Sequence, residues 1–214
     1  MPLAASPDSP LPQRLATLLV GLVLVGVGVA LTIRAELGVA PYDVLTTGLA
    51  DLTGLPLGLA AMLLPAGFVL LGWGLGRRPG PGTLLAVLLV GPILGLVVAG
   101  LPQVEALAPR AGMFAVGFLA VAAGITAVIV AEIGPGPAEI VMLAIHERGY
   151  PLAPVRTGIE VTCVALGWAM GGQVGAGTVV VALLIGITLR WMLAVAGYRS
   201  PVAADAAEAA APGA

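Results

Sequence analysis

The residues best placed to do chemistry are two acids. Each stands two positions after a proline, in Gly38-Val39-Ala40-Pro41-Tyr42-Asp43 and in Gly134-Pro135-Gly136-Pro137-Ala138-Glu139. Glycine permits a tight turn and proline suits the first position of a helix. A carboxylate two residues on meets unpaired N–H groups and the positive end of the helix dipole. That arrangement starts a helix without any ligand. Beside a membrane span it takes a second meaning, because carboxylates at membrane depth are costly and commonly functional. Asp43 and Glu139 are therefore the primary candidates for contact with a cation, a proton or a substrate amine. Gly38, Pro41, Tyr42, Gly134 and Pro137 would shape that site.

Secondary candidates repeat in the same way. Glu36 and Glu132 precede the two bends, and Asp51 and Glu147 follow them; both pairs read as wet boundary residues. The turns Gly80-x-Gly82-Thr83 and Gly175-x-Gly177-Thr178 could offer N–H groups to an anion, or simply place Thr83 and Thr178 as N-caps of the spans that follow. Arg156 and Glu160 are spaced to pair on one helix face, and Trp73 and Trp168 read as interfacial anchors. His146 shares a helix face with Glu139 but reads as structural. Cys163, the one cysteine, excludes an intramolecular disulfide and has no base beside it in sequence. No Cys/His cluster has metal-ligand spacing, and no Ser/His/Asp or phosphate-binding set is present, so neither a metal, a cofactor nor an enzymatic reaction is expected.

The composition says where these residues must work. Hydrophobic side chains make up 59% of the 214 residues and charged ones 9%, with a mean hydropathy of +1.10. A soluble domain carries about 25% charged residues, so this chain cannot face water on all sides. The lipid bilayer is its solvent. A net charge of −2 excludes an extended cationic surface, and with it nucleic acid as a partner.

Crossing a bilayer takes about 20 helical residues. Six stretches qualify, roughly 15–34, 57–76, 82–101, 111–131, 154–171 and 177–197. Two segments, 41–53 and 137–148, look helical but are about half a span long. They can be re-entrant half-helices or helices lying in the interface. Residues 1–13 and 199–214 read as disordered tails, being rich in Pro and Ser or in Ala, Pro and acids.

An internal repeat organises everything between the tails. Gly21, Gly28 and Gly38 align with Gly117, Gly124 and Gly134. After a one-residue deletion, Gly54-x-Pro56-Leu57, Gly72-Trp73, Gly80-x-Gly82-Thr83 and Gly91 align with Gly149-x-Pro151-Leu152, Gly167-Trp168, Gly175-x-Gly177-Thr178 and Gly186. Six of the eight acids between residues 14 and 198 fall into aligned pairs, where roughly 0.2 coincidences are expected by chance. Residues 14–101 and 102–198 are thus the first and second membrane repeats. Three spans per copy is an odd number, so the copies should be inverted and related by a pseudo-twofold axis in the membrane plane. With both termini in the cytoplasm, Arg14, Arg77, Arg78, Arg148, Arg156 and Arg199 lie inside and Arg34 and Arg110 outside, as the positive-inside tendency asks. The expected fold is all-α: six transmembrane helices and two half-helices in two inverted-topology repeats.

The repeated Gly-x-x-Pro-x-acid element, the short amphipathic segment and the Gly-x-Gly-Thr turn resemble the YczE/YyaS-like membrane proteins, a bacterial group related to the YitT-type membrane proteins. The likeness covers about residues 14–197, with element order and spacing matched in both copies. It departs at Ala138-Glu139, where an aromatic or small residue followed by Asp is more usual. The resemblance implies a bacterial inner-membrane protein and supplies no catalytic residues. Inverted repeats with short helices at matching positions are the arrangement on which alternating access is built, so a small-solute or ion transporter is the leading expectation, with a proton among the candidate coupling ions. The alternative is a non-transporting scaffold or accessory protein, a homo-oligomer or a subunit beside a membrane partner, gripping through its spans and short loops. A membrane enzyme ranks third.

Overall fold

The computed structural model describes residues 9–198. Eight helices account for nearly all of them: α1 (Leu11–Ala35), α2 (Pro41–Thr53), α3 (Leu57–Gly74), α4 (Pro81–Gly100), α5 (Leu107–Ala131), α6 (Pro137–His146), α7 (Leu152–Ala169) and α8 (Ala176–Val195). Proline at the first position opens α2, α4 and α6, where its missing N–H costs nothing. Gly54, at φ 69°, closes α2 in the left-handed conformation. Helix α1 begins at Leu11, so the boundary expected after residue 13 falls inside it; residues 1–8 and 199–214 lie outside the described residues.

Five helices, α1, α3, α4, α5 and α8, are long and apolar enough to cross a membrane. Their outer surfaces carry exposed Leu, Val, Ile and Trp side chains, an apolar face suited to lipid. Helix α7 was expected as the remaining span and is not among the five. It has 18 residues, as α3 does, but Arg156 and Glu160 lower its apolarity.

Helices α1 and α5 form the central seam. They run antiparallel, so that Gly21 meets Gly124 and Gly28 meets Gly117. A Cβ added at Gly21 would stand 2.9 Å from the Gly124 carbonyl oxygen, and one at Gly124 would stand 2.7 Å from the oxygen of Gly21. At the other crossing the same reciprocal approaches are 2.7 and 2.8 Å. Backbone lies against backbone at both points, the close contact that small residues allow between membrane helices. Arg14 lies at one end of the seam, beside Ala131; Arg110 lies at the other, beside Ala35.

The remaining helices flank this seam. Arg34, near the end of α1, donates to the carbonyls of Leu101 and Val98 at 3.1 and 3.0 Å, so α4 runs beside α1 in the same direction. Helix α8 starts at the Ala35 end, where the Gly177 N–H donates to the Leu37 carbonyl, and packs along α5. Helix α2 packs on α7 and α3, and α6 packs on α3 and α7, which closes a ring of four helices. One relation is not shared between the halves. Helices α3 and α4 pack tightly, with Gly58 against Gly91 and Gly95, whereas nothing lies near Gly186, the counterpart of Gly91 on α8.

The seam makes a stability prediction. Gly28→Leu would drive a side chain into the backbone of Gly117 and Val121, and should cost about 3 kcal/mol. Gly186→Ala, in open space within α8, should cost nothing and raise stability by up to about 1 kcal/mol. Thermal unfolding of the two variants in detergent micelles compares them directly.

Candidate functional site

Each acidic bend begins where a seam helix stops. Glu36 and Glu132, the residues after α1 and α5, adopt left-handed backbone at φ 52° and 49°, the only non-glycine residues to do so among those described. Such a conformation costs on the order of 1 kcal/mol. It also leaves the last carbonyls of the helix without partners. The other half supplies them. Arg14 Nε donates to the Ala131 carbonyl at 2.9 Å and Nη2 to the Glu132 carbonyl at 2.6 Å; Arg110 Nε donates to Ala35 at 2.7 Å and Nη2 to Glu36 at 2.6 Å. A guanidinium fork at the negative end of a helix satisfies both the carbonyls and the dipole. The Glu36 carboxylate lies 3.6 Å from Arg110, and the Tyr198 phenol lies near that of Glu132. Both acids are therefore engaged at the bends.

Past these clamps the chain turns through Gly38 (φ 102°) and Gly134 (φ 153°) into Pro41 and Pro137. The Gly-x-Gly-Thr turn of each half seats on the bend of the other. The Gly177 N–H donates to the Leu37 carbonyl at 2.7 Å, and the Gly82 N–H to the Ile133 carbonyl at 3.3 Å. One N–H of each turn is thereby taken by the opposing bend. Thr83 and Thr178 are not N-caps as expected. Gly80 and Gly175 hold that position, and the threonines lie three residues further on. From there Thr83 donates to the Pro135 carbonyl at 2.5 Å, and Thr178 accepts the Gly175 N–H at 3.2 Å.

The two short helices start inside the bundle and run to opposite ends of it. Val44 lies against Gly167 and Asp51 beside Gly171, so α2 climbs along the last turns of α7 toward the Ala35 end. Ile140 lies against Gly72 and Glu147 pairs with Arg77, so α6 follows the end of α3 toward the Ala131 end. The Tyr42 ring packs on Phe68 with centroids 5.3 Å apart. Phe68 lies about 16 Å along α3 from its start, which places the beginning of α2 deep in the ring of four helices.

There the Tyr42 hydroxyl is buried without a hydrogen-bond partner, within electrostatic reach of Asp43 on its own helix, Cys163 on α7 and Glu139 on α6. Asp43 is half-buried and Glu139 exposed. The Glu139 carboxylate folds back over Gly136, in the space a side chain there would need. Neither carboxylate has an ion pair or accepts a hydrogen bond among the described residues, so the helix starts do not consume them. Thr46 and Thr47 hydroxyls turn inward to the Tyr42 and Asp43 carbonyls at 3.3 and 2.9 Å. The unpartnered Tyr42 hydroxyl and Asp43 carboxylate at the start of α2 can face a proton or another positive charge, with no group of three metal-binding residues among those described.

Arg156 and Glu160 bond at 2.9 Å on the exposed edge of α7, and Trp73 and Trp168 face outward, as their positions implied. Sequence reading missed the arginine clamps, although Arg14 and Arg110 align in the same register as Glu36 and Glu132. It also missed Gln173, whose side-chain oxygen is buried without a partner.

Residues 12–194 match a family of unknown function, DUF6198. The chain is 32% identical to the uncharacterized membrane protein YczE of Bacillus subtilis over 178 residues, covering 81% of this chain and 82% of that protein. It is 30% identical to an uncharacterized protein of Haemophilus influenzae over 182 residues, covering 85% and 84%. No solved structure matches it significantly.

An unpartnered buried hydroxyl costs stability, so Tyr42→Phe should leave the fold intact and raise its stability by about 1 kcal/mol. The same unfolding measurement checks this; a loss would mean that the hydroxyl has a partner.

Proposed function

The chain belongs to this family of unknown function, its apolar helices make it a multi-pass membrane protein, and we propose that it is a small-solute or ion transporter of the inner membrane. One observation carries the reading: the half-helices α2 and α6 begin deep in one ring of helices, with the free acids Asp43 and Glu139 in reach of the orphan Tyr42 hydroxyl. Carboxylates with no internal partner at the start of broken helices are what a transporter needs to exchange a cation or a proton for water. Gly38, Pro41, Gly134 and Pro137 set the bends that bring them there. In a scaffold, unpaired acids at that depth would cost stability and return nothing.

We further infer inverted repeats with six crossings, α7 being the sixth. Supporting this are the antiparallel α1–α5 seam, its reciprocal glycine contacts, the exchanged arginine clamps and the equal lengths of α3 and α7. The arginine bias supports a cytoplasmic side for both termini and for the Ala131 end.

Two measurements test these readings. In proteoliposomes carrying the purified chain, Asp43→Asn and Glu139→Gln should each slow uptake of the transported solute about tenfold or more, the equivalent of 1.4 kcal/mol, while unfolding as the parent does. Uptake at the parent rate in both variants would remove the site. With Cys163→Ala as background, single cysteines at Gly54 and Gly149 should react with an impermeant maleimide from opposite sides of the membrane. Labelling from one side only would refute the inversion.

A further inference from the structure

A second site lies at the Ala35 end of the bundle, apart from the Tyr42 region. A cleft of about 530 Å³ opens there, walled by Ile33, Leu55 and Leu57 and bearing Thr47, Asp51 and Gln173. The Thr47 hydroxyl is committed, donating to the backbone of α2 and accepting the Gln173 N–H at 3.0 Å. The Asp51 carboxylate has no ion pair or hydrogen bond among the described residues, and Gln173 Oε1 is buried with no donor. What remains unfilled in the cleft is the Asp51 carboxylate, its one charged group, and the side-chain amide of Gln173, whose oxygen has no donor.

The other half of the chain shows what belongs there. Glu147 aligns with Asp51, and at the Ala131 end it is bound by the guanidinium of Arg77. The position aligned with Arg77 is Gly172, which offers no side chain. One acid of the pair has its cation built in; the other faces an open cleft. We propose that this cleft binds a cation bearing N–H donors, a primary ammonium with a short apolar arm, its donors on Asp51 and Gln173 and its arm against Ile33, Leu55 and Leu57. Charge-assisted hydrogen bonds supply the orientation and the apolar walls the selectivity. Such an ammonium can be a free amine or the ethanolamine headgroup of a lipid, and the site holds whether or not the chain transports.

The test is titration calorimetry of the full chain in phosphatidylcholine nanodiscs, with n-butylammonium as the probe and tetramethylammonium, which has no N–H donor, as its control at matched ionic strength. Saturable binding of butylammonium is expected, about tenfold tighter than that of tetramethylammonium and weakened about tenfold or more by Asp51→Asn. Gln173→Leu should weaken it too, while Glu147→Gln, at the far end, should not. Adding phosphatidylethanolamine distinguishes the sources: competition with butylammonium identifies the lipid headgroup as an occupant, and its absence leaves the free amine. No saturable binding, or equal binding by the parent and by Asp51→Asn, would overturn the proposal. Unfolding curves of the variants guard against loss of fold, since Asp51 is exposed and its replacement should leave stability within about 0.5 kcal/mol.

Discussion

Two arginines hold the molecule together from opposite ends. The last carbonyls of a helix have no partner within it, so a helix that stops must find donors elsewhere. Arg14 and Arg110 provide them, each reaching from the first turns of one seam helix to the last carbonyls of the other. Because the donor and the bend it serves lie in different halves, neither bend is completed without both. The glycines of the seam make the reach possible by letting the backbones touch at two crossings. Everything beyond the bends is hung from this frame: the left-handed Glu36 and Glu132, the turns at Gly38 and Gly134, and the half-helices that follow.

Polar groups elsewhere are spent with economy, which makes the unspent ones informative. Thr46, Thr47, Thr83 and Thr126 give their hydroxyls to backbone carbonyls. Glu36, Glu147 and Glu160 have arginine partners. Against that background Asp43, Glu139 and the Tyr42 hydroxyl stand out in the ring, and Asp51 and Gln173 Oε1 stand out in the cleft. Two separate places in the bundle therefore present polar groups without partners, each with an unpaired carboxylate among them.

Much of this was legible in the residues. Pro41 and Pro137 mark helix starts because proline sacrifices no hydrogen bond there, and the half-span lengths of α2 and α6 follow from the charged residues that bound them. The paired acids pointed to the bends through their repetition alone. Three features escaped. The threonines of the Gly-x-Gly-Thr turns were read as caps by local preference, yet glycine holds the cap position while the threonines serve the opposite bend or their own turn. Helix α7 looks like the other spans in outline, but its Arg156 and Glu160 blur the apolar signal. The cleft depends on Gln173 meeting Asp51 across more than a hundred positions of chain, and no local pattern encodes that distance. The clamps fall between these cases, visible in register but meaningless until the antiparallel seam is seen.

The mismatch between Arg77 and Gly172 bears on why two such halves share one polypeptide. Two separate copies of one four-helix half would be bound to carry the same residue at both positions, arginine at each end or at neither. Within a single chain the two positions can differ. One end is then fastened by an internal guanidinium while the other keeps its acid open to the surroundings.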